Sequence, residues 1–249
     1  MICHAQSMGN YAHDYLKAPH LVVHSIFKKG FNIINQDNRL IFIGTAENGL
    51  FPFGINIDEQ TKKVVLDRIK VGQSVLLRNN CLYFNEVILN LNCNIIQFTK
   101  PEYYQLNFES DIKKIDFSHY ETTDFKRRNI QLLMDDLKAA QDKGMLKYFI
   151  GRGNGLTPTG DDILVGMLLV HTIKPFISST KLTYINTLLK EDCTTQVSKQ
   201  FLQLAIEGIF SSRLTDLFDA TNVAINIERL LNVGSSSGKD TAYGIFSAL

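Results

Sequence analysis

The chain has 249 residues, 45% hydrophobic and 20% charged, with 26 Lys and Arg against 25 Asp and Glu and no tryptophan. That composition excludes disorder as the main state and suits one large globular domain or two modest ones. Charge is balanced along the chain, with 10 basic and 9 acidic groups over residues 1–110 and 16 of each over 111–249, so neither part carries the footprint of a nucleic-acid or anionic-lipid binder.

The N-terminal MICHAQSMGN has no basic region followed by an apolar run and does not read as a secretory leader. Four cysteines, at positions 3, 81, 93 and 193, form no C-x-x-C pair. A cytoplasmic chain with reduced thiols is expected. From His20 to about Phe98 the sequence runs in short β-branched and aromatic pieces: LVVHSIF, FNIIN, RLIFIG, PFGINI, KVVLDRI, QSVLLR and CLYFNEVILNLNCNIIQF. Lys29-Gly30, Asp37-Asn38, Asn48-Gly49 and Asn79-Asn80 supply turn chemistry at the joints, which predicts several antiparallel strands closing into a small barrel or sandwich.

After Pro101 a polar stretch from Glu102 to Thr123 leads into TDFKRRNIQLLMDDLKAAQDKG, a helix with Thr123 or Asp124 as cap and Gly144 as stop. Helical spacing then recurs over 161–174, 180–189, 195–208, 213–223, 224–231 and from Lys239 to the end. The stretch Ile163 to Ile173 is interrupted by Gly166, His171 and Thr172 and falls short of the roughly 20 residues of a membrane span, so no membrane segment is expected. The predicted class is α+β: a β-rich domain over 1–110, then a mainly helical domain over 111–249.

The helical half holds the segment GRGNGLTPTGDDILVG, residues 151–166, where glycines and a proline crowd into a loop that runs straight into an apolar helix. Glycines let backbone N–H groups approach a ligand, and the helix start adds unpaired N–H groups and a positive dipole end, which makes Gly153, Asn154, Gly155, Thr157, Thr159 and Gly160 candidate anion ligands. The alternative is a tight turn in which Thr159 and Asp162 form a capping pair. A second segment, Ser237 to Gly244, aligns without gaps on Thr159 to Gly166: hydroxyl, Gly, x, Asp, three residues, Gly. Two helix starts converging on one site are expected, with Asp162 and Asp240 facing it and Gly166 and Gly244 at a close helix contact; Ser236, Ser237 and Gly238 join the anion-binding candidates.

NVGSSSGKD is not a P-loop, because three residues separate Gly234 from Gly238 where four are needed and Asp240 replaces the Ser or Thr that holds Mg²⁺. Arg152, between two glycines, can fork onto a carboxylate or phosphate; Lys239 offers a point charge. Asp161 and Asp162 have the chemistry to hold Mg²⁺ through water or to orient an amide, and no other cofactor is indicated. The six histidines show no zinc spacing. Thr194 to Ser198 reads as a helix cap that can also put a hydroxyl into a nearby site.

The run Gly155-Leu156-Thr157-Pro158-Thr159-Gly160-Asp161-Asp162 resembles the GLTP[ST]GDD motif of a bacterial family (AllH-like, FdrA-associated) found as one subunit of oxamate carbamoyltransferase in anaerobic allantoin breakdown. Ser198 and Gly234 to Asp240 extend the likeness over most of 151–249. The resemblance implies carbamoyl transfer between oxalurate and phosphate, giving oxamate and carbamoyl phosphate, and a cytoplasmic assembly with FdrA-like and other carbamoyltransferase subunits. Both substrates are anions, so fixed N–H donors matter more than a covalent nucleophile. By residue type, Arg152 would hold a carboxylate or phosphate, Lys239 would steady developing charge, and Asp162 or Asp240 would orient an amide nitrogen, with Asp161 beside them. A catalytic subunit, a non-catalytic assembly or regulatory subunit that binds a small anion, and a stand-alone acyl- or carbamoyl-transfer enzyme are all compatible with these residues.

Overall fold

The computed structural model describes residues 1–100, 106–141 and 144–249. It divides into two compact units, Met1–Thr99 and Lys100–Leu249. The start of the polar stretch predicted from Glu102, and Asp142 and Lys143 of the predicted helix end, lie outside the described residues.

The first unit is a curled, ten-stranded mixed sheet, a half-barrel built from β1 (Ile2–His4), β2 (Ser7–Gly9), β3 (Leu21–Phe27), β4 (Gly30–Ile34), β5 (Leu40–Gly44), β6 (Gly54–Asn56), β7 (Ser74–Arg78), β8 (Cys81–Phe84), β9 (Val87–Asn90) and β10 (Asn94–Ile96). The order is β1-β9-β8-β7-β3-β4-β5-β6-β2-β10. Hairpins join β3 to β4 and β7 to β8, the latter through Asn79 and Asn80, both with positive φ (49° and 56°), as a two-residue turn with matching twist demands. Alternate residues such as Phe31, Ile33, Ile41, Ile43, Leu82 and Phe84 face inward and are fully buried.

The pairing corrects the antiparallel expectation in part: β1–β9, β2–β10 and β5–β6 are parallel. β1 and β2, at three residues each, are too short to show periodicity in sequence, as is the helix that follows, α1 (Asn10–Tyr15). KVVLDRI is not a strand. It lies largely in α2 (Glu59–Leu66), whose start is fixed by the Asp58 carboxylate accepting from Thr61 N at 2.7 Å, so a local cap overrides the β-branched pair Val64-Val65.

The second unit is helical: α3 (Glu109–Ile112), α4 (Arg127–Lys138), α5 (Met145–Phe149), α6 (Thr159–Ile173), α7 (Ser179–Leu188), α8 (Gln196–Ile206), α9 (Ser212–Thr215), α10 (Val223–Leu231) and α11 (Ser237–Ala248). α6 is buried at every position from Gly160 to Val170: from Ile163 on this stretch is apolar all round, as a helix buried on every face must be, while Asp161 and Asp162 carry carboxyls into the interior. Neither Thr123 nor Asp124 caps α4: Thr123 Oγ1 closes a turn with Tyr120 O and Phe125 N, and the helix begins one step past Lys126. Gly144, with φ 79°, opens α5 instead of ending α4. The predicted helix over 213–223 is broken after α9 by a 3₁₀ turn at Asp216–Phe218, where Asp219 draws Thr221 and Asn222 into local hydrogen bonds.

Candidate functional site

α6 and α11 begin side by side. An added Cβ at Gly166 would stand 2.2 Å from Thr241 O, and one at Gly244 would stand 2.0 Å from Ile163 O. In the two aligned segments these contacts are reciprocal, eighth residue on fifth, so the helices meet about a local quasi-twofold axis at backbone distance. The second glycine of each segment is buried as closely, Gly160 against Phe149 O and Gly238 against Leu230 O.

The same reciprocity brings the hydroxyls to the acids. Thr159 Oγ1 donates to Asp240 Oδ2 at 3.2 Å, and Ser237 lies beside Asp162, its Oγ sharing a 2.8 Å hydrogen bond with Thr157 Oγ1. The alternative of a capping pair between Thr159 and Asp162 is not what forms, because Pro158 is the N-cap residue of α6 and the Thr159 hydroxyl is turned across to the other helix. Ser236 and Ser237 likewise provide no side-chain cap for α11. Asp240 is fully occupied: its Oδ1 accepts from Tyr120 Oη at 2.5 Å. Tyr120 stacks on Tyr243 with ring centroids 4.1 Å apart, and burial followed by the Asp240 contact holds its phenol well above the usual range, so it remains a donor.

Asp161 serves a third helix start. Its carboxylate takes Gly151 N at 2.8 Å and the Thr194 hydroxyl, while Thr195 caps α8 by accepting from Ser198 N at 3.1 Å. Burial raises the Asp161 carboxyl, opposed by Thr194, Gly151 and the adjacent Ser198. Ser198 Oγ is buried beside Asp161 and has no partner at hydrogen-bond geometry among the described residues. Asp162 is different again. It is 8% exposed, and its Oδ2 is buried without a partner. Burial first, then the charges of Asp240 and Asp161, raise its carboxyl well above the carboxylate range, while Thr157 and Ser237 pull the other way.

Asp162→Asn therefore has an expected sign. The folded chain keeps a proton on Asp162 at pH values where the unfolded chain has lost it, so this group destabilises the fold increasingly as pH rises above the ordinary aspartate range. The variant should melt higher than the parent at pH 8, by roughly 2–4 °C per kcal/mol relieved, and the gain should shrink towards pH 4. Melting curves across that range check it, and a variant that melts lower at pH 8 would contradict the burial account.

The loop between these helix starts is the exposed part. Gly153, Asn154, Gly155 and Leu156 are exposed and Thr157 half-buried, with φ of 121° at Gly153 and 90° at Gly155. Among the described residues, the N–H groups of 153–157 donate to nothing, whereas those of Gly160, Asp161 and Asp162 are taken by Arg152 O and Pro158 O, and Gly238 N by Val233 O. The donors left over among the described residues are those of the loop together with the N–H groups of Thr159, Ser237 and Lys239 in the first turns of α6 and α11. Arg152 is engaged: Nη1 meets Asp124 Oδ2 at 2.8 Å, Nε meets Tyr148 O at 2.8 Å, and the guanidinium lies 3.8 Å over the Tyr148 ring. Lys239 is exposed, and no cation pairs with Asp161, Asp162 or Asp240 among the described residues. No group of three or more His, Cys, Asp and Glu side chains is arranged to hold a metal among them either.

Tyr120 was not foreseen, since nothing around a lone tyrosine in a polar linker signals a partner 120 residues away. A cavity of about 380 Å³ lies elsewhere, in the β unit, lined by Met8, His13, Asn80, Asn92, Cys93 and Asn94 among others. Burial pushes the Cys93 thiol up, the opposite of what a nucleophile needs, so its chemistry does not compete with the helical site.

Among the described residues no helix is long and apolar enough to cross a membrane. No solved structure matches the chain. Two family models do: that of the AllH family N-terminal domain over residues 4–97, and that of the oxamate carbamoyltransferase subunit AllH over 149–249, which takes in the whole loop and α6, α8 and α11. Tyr120 falls between the two matches. From the β unit to the paired helix starts, the chain belongs to the AllH family, whose name is that of a subunit of oxamate carbamoyltransferase.

Proposed function

We propose that this chain is a subunit of a carbamoyltransferase acting on oxalurate or oxamate and carbamoyl phosphate, and that it binds a small anion at the loop 153–157. In the reaction a phosphate oxygen attacks the carbamoyl carbon of oxalurate, the bond from that carbon to the oxamate nitrogen breaks, and the phosphate proton ends on that nitrogen. The observation that carries the reading is the row of uncommitted N–H groups on residues 153–157 beside three helix starts, a preorganised set of donors for anionic oxygen. FdrA-like and other carbamoyltransferase subunits are the partners this reading implies, in the cytoplasm.

A second reading, an anion-binding subunit with no catalysis of its own, is favoured by one observation: Arg152 is tied to Asp124 and Tyr148, and Lys239 is exposed, so neither cation is turned to the aspartates. Turnover by the assembled enzyme, with the Asp162→Asn variant of this subunit, separates the two: a collapse of kcat with phosphate binding retained favours catalysis here.

Titration calorimetry of the full chain with inorganic phosphate tests the site. Gly155→Ala is the informative variant, because an added Cβ there meets nothing within 4 Å and only the φ of 90° resists it. A strain of about 1–3 kcal/mol at such a position reshapes the loop, so phosphate affinity should fall about tenfold or more. Absence of phosphate binding by the parent chain would overturn the anion reading.

A further inference from the structure

The quasi-twofold that relates Thr159–Gly166 to Ser237–Gly244 makes Asp162 and Asp240 counterparts, and their surroundings can be compared atom for atom. Each has a hydroxyl from the first residue of the other segment, Thr159 on Asp240 and Ser237 beside Asp162. Asp240 has in addition the Tyr120 hydroxyl, donating to its second oxygen. Asp162 has the Thr157 hydroxyl near its carboxyl as well, but its Oδ2 is buried, 8% of the residue is exposed, and nothing in the described chain bonds that oxygen. A buried oxygen without a partner costs about 1–3 kcal/mol, and natural sites keep such a defect where a ligand or water repairs it. The Thr157 and Ser237 hydroxyls, bridged to each other, lie at the same carboxyl, and Thr157 ends the exposed loop with its uncommitted N–H groups.

We propose that Asp162 is the group of this site that reads a primary amide, its orphan oxygen accepting the N–H of a carbamoyl or oxamate-type amide in the place that the Tyr120 hydroxyl fills at Asp240. This rests on the reading of the loop as a small-anion site, and it adds which end of the ligand goes where. The anionic end meets the N–H groups of 153–157, and the amide end goes inward, parting Thr157 from Ser237. Of the two aspartates that residue type alone leaves as amide-orienting candidates, the structure selects Asp162, because both oxygens of Asp240 are taken. An amide donates to Asp162. A carboxylate of the same shape has no N–H to give and would bring negative charge beside Asp161, Asp162 and Asp240.

Oxamate and oxalate differ only by that amide for a carboxylate, so they are the probes. The full chain is titrated with each, and with inorganic phosphate, as parent and as Asp162→Asn, with thermal melts confirming that the variant folds. The parent should prefer oxamate over oxalate by about tenfold or more. In Asp162→Asn the side-chain amide offers an N–H to the ligand and the preference should fall to near equality or reverse. Equal binding of oxamate and oxalate by the parent, or a preference unchanged in the variant, overturns the assignment of Asp162 while leaving the anion loop in place. If none of the three probes binds, the loop reading itself falls, and the role of Asp162 with it. Should the variant fail to fold, the parent's oxamate-to-oxalate ratio alone decides.

Discussion

Gly244→Ala and Gly166→Ala should each destabilise the helical unit by about 3 kcal/mol or more, although alanine is the better helix former. Both glycines lie inside helices with ordinary negative φ, where Gly→Ala normally gains up to about 1 kcal/mol. Here the new methyl would sit 2.2 Å from Thr241 O at position 166 and 2.0 Å from Ile163 O at position 244. Those neighbours are backbone carbonyls of rigid helices, not the ends of flexible side chains, so relief requires prying α6 from α11. Overpacking of cores commonly costs about 1–3 kcal/mol, and contact with backbone belongs at or beyond the upper end. Chemical denaturation with far-UV detection reads the effect directly, and a melting temperature unchanged or raised in either variant would mean that the helices are not in contact at these glycines. Separating the helices also separates Thr159 from Asp240 and Ser237 from Asp162, so ligand binding should fail in step with stability.

The convergence of these helices was legible in the sequence because one pattern occurs twice without gaps. A hydroxyl, a glycine, an acid and a second glycine one turn further on describe a helix start that approaches something closely, and two such starts in one helical unit find each other. What each acid does was not legible. Asp161, Asp162 and Asp240 look alike as letters, yet one is shared with Gly151 and Thr194, one is saturated by Tyr120 and Thr159, and one is left with an orphan oxygen. These differences come from partners 10 to 120 residues away, beyond any local pattern. Arg152 shows the same limit from the other side: its flanking glycines read as freedom to meet a ligand, but Asp124 and Tyr148 fold back onto it. In the β unit, turn dipeptides such as Asn79-Asn80 located a hairpin because their backbone demand is local. The parallel pairs β1–β9 and β2–β10 join segments some 85 residues apart and left no local trace.

Lys181→Met should cost about 3–5 kcal/mol, the usual penalty for leaving one member of a buried ion pair behind. Lys181 Nζ meets Asp136 Oδ1 at 2.6 Å with both side chains essentially inaccessible, 1% and 0% exposed. Asp136 spends its other oxygen on the first N–H groups of α5, Met145 at 2.9 Å and Leu146 at 3.3 Å, so it ties α4, α5 and α7 together. α5 leads directly into the glycine-rich loop. Phe149 O at its end accepts from Arg152 N and is the atom against which Gly160 packs. Removing the ammonium leaves a buried carboxylate whose remaining donors are mainly those N–H groups, and the chain can relieve it only by admitting water or shifting α5. Adding Asp136→Asn to Lys181→Met should restore most of the loss, because a neutral amide oxygen still accepts from Met145 and Leu146 and no charge is stranded. Denaturation curves of the single and double variants give the comparison; a double variant as unstable as the single one would show that packing of the lysine stem, and not the stranded charge, sets the cost. Phosphate affinity should follow the same order, lost in the single variant and regained in the double, since the loop that supplies the N–H groups is held in place from α5.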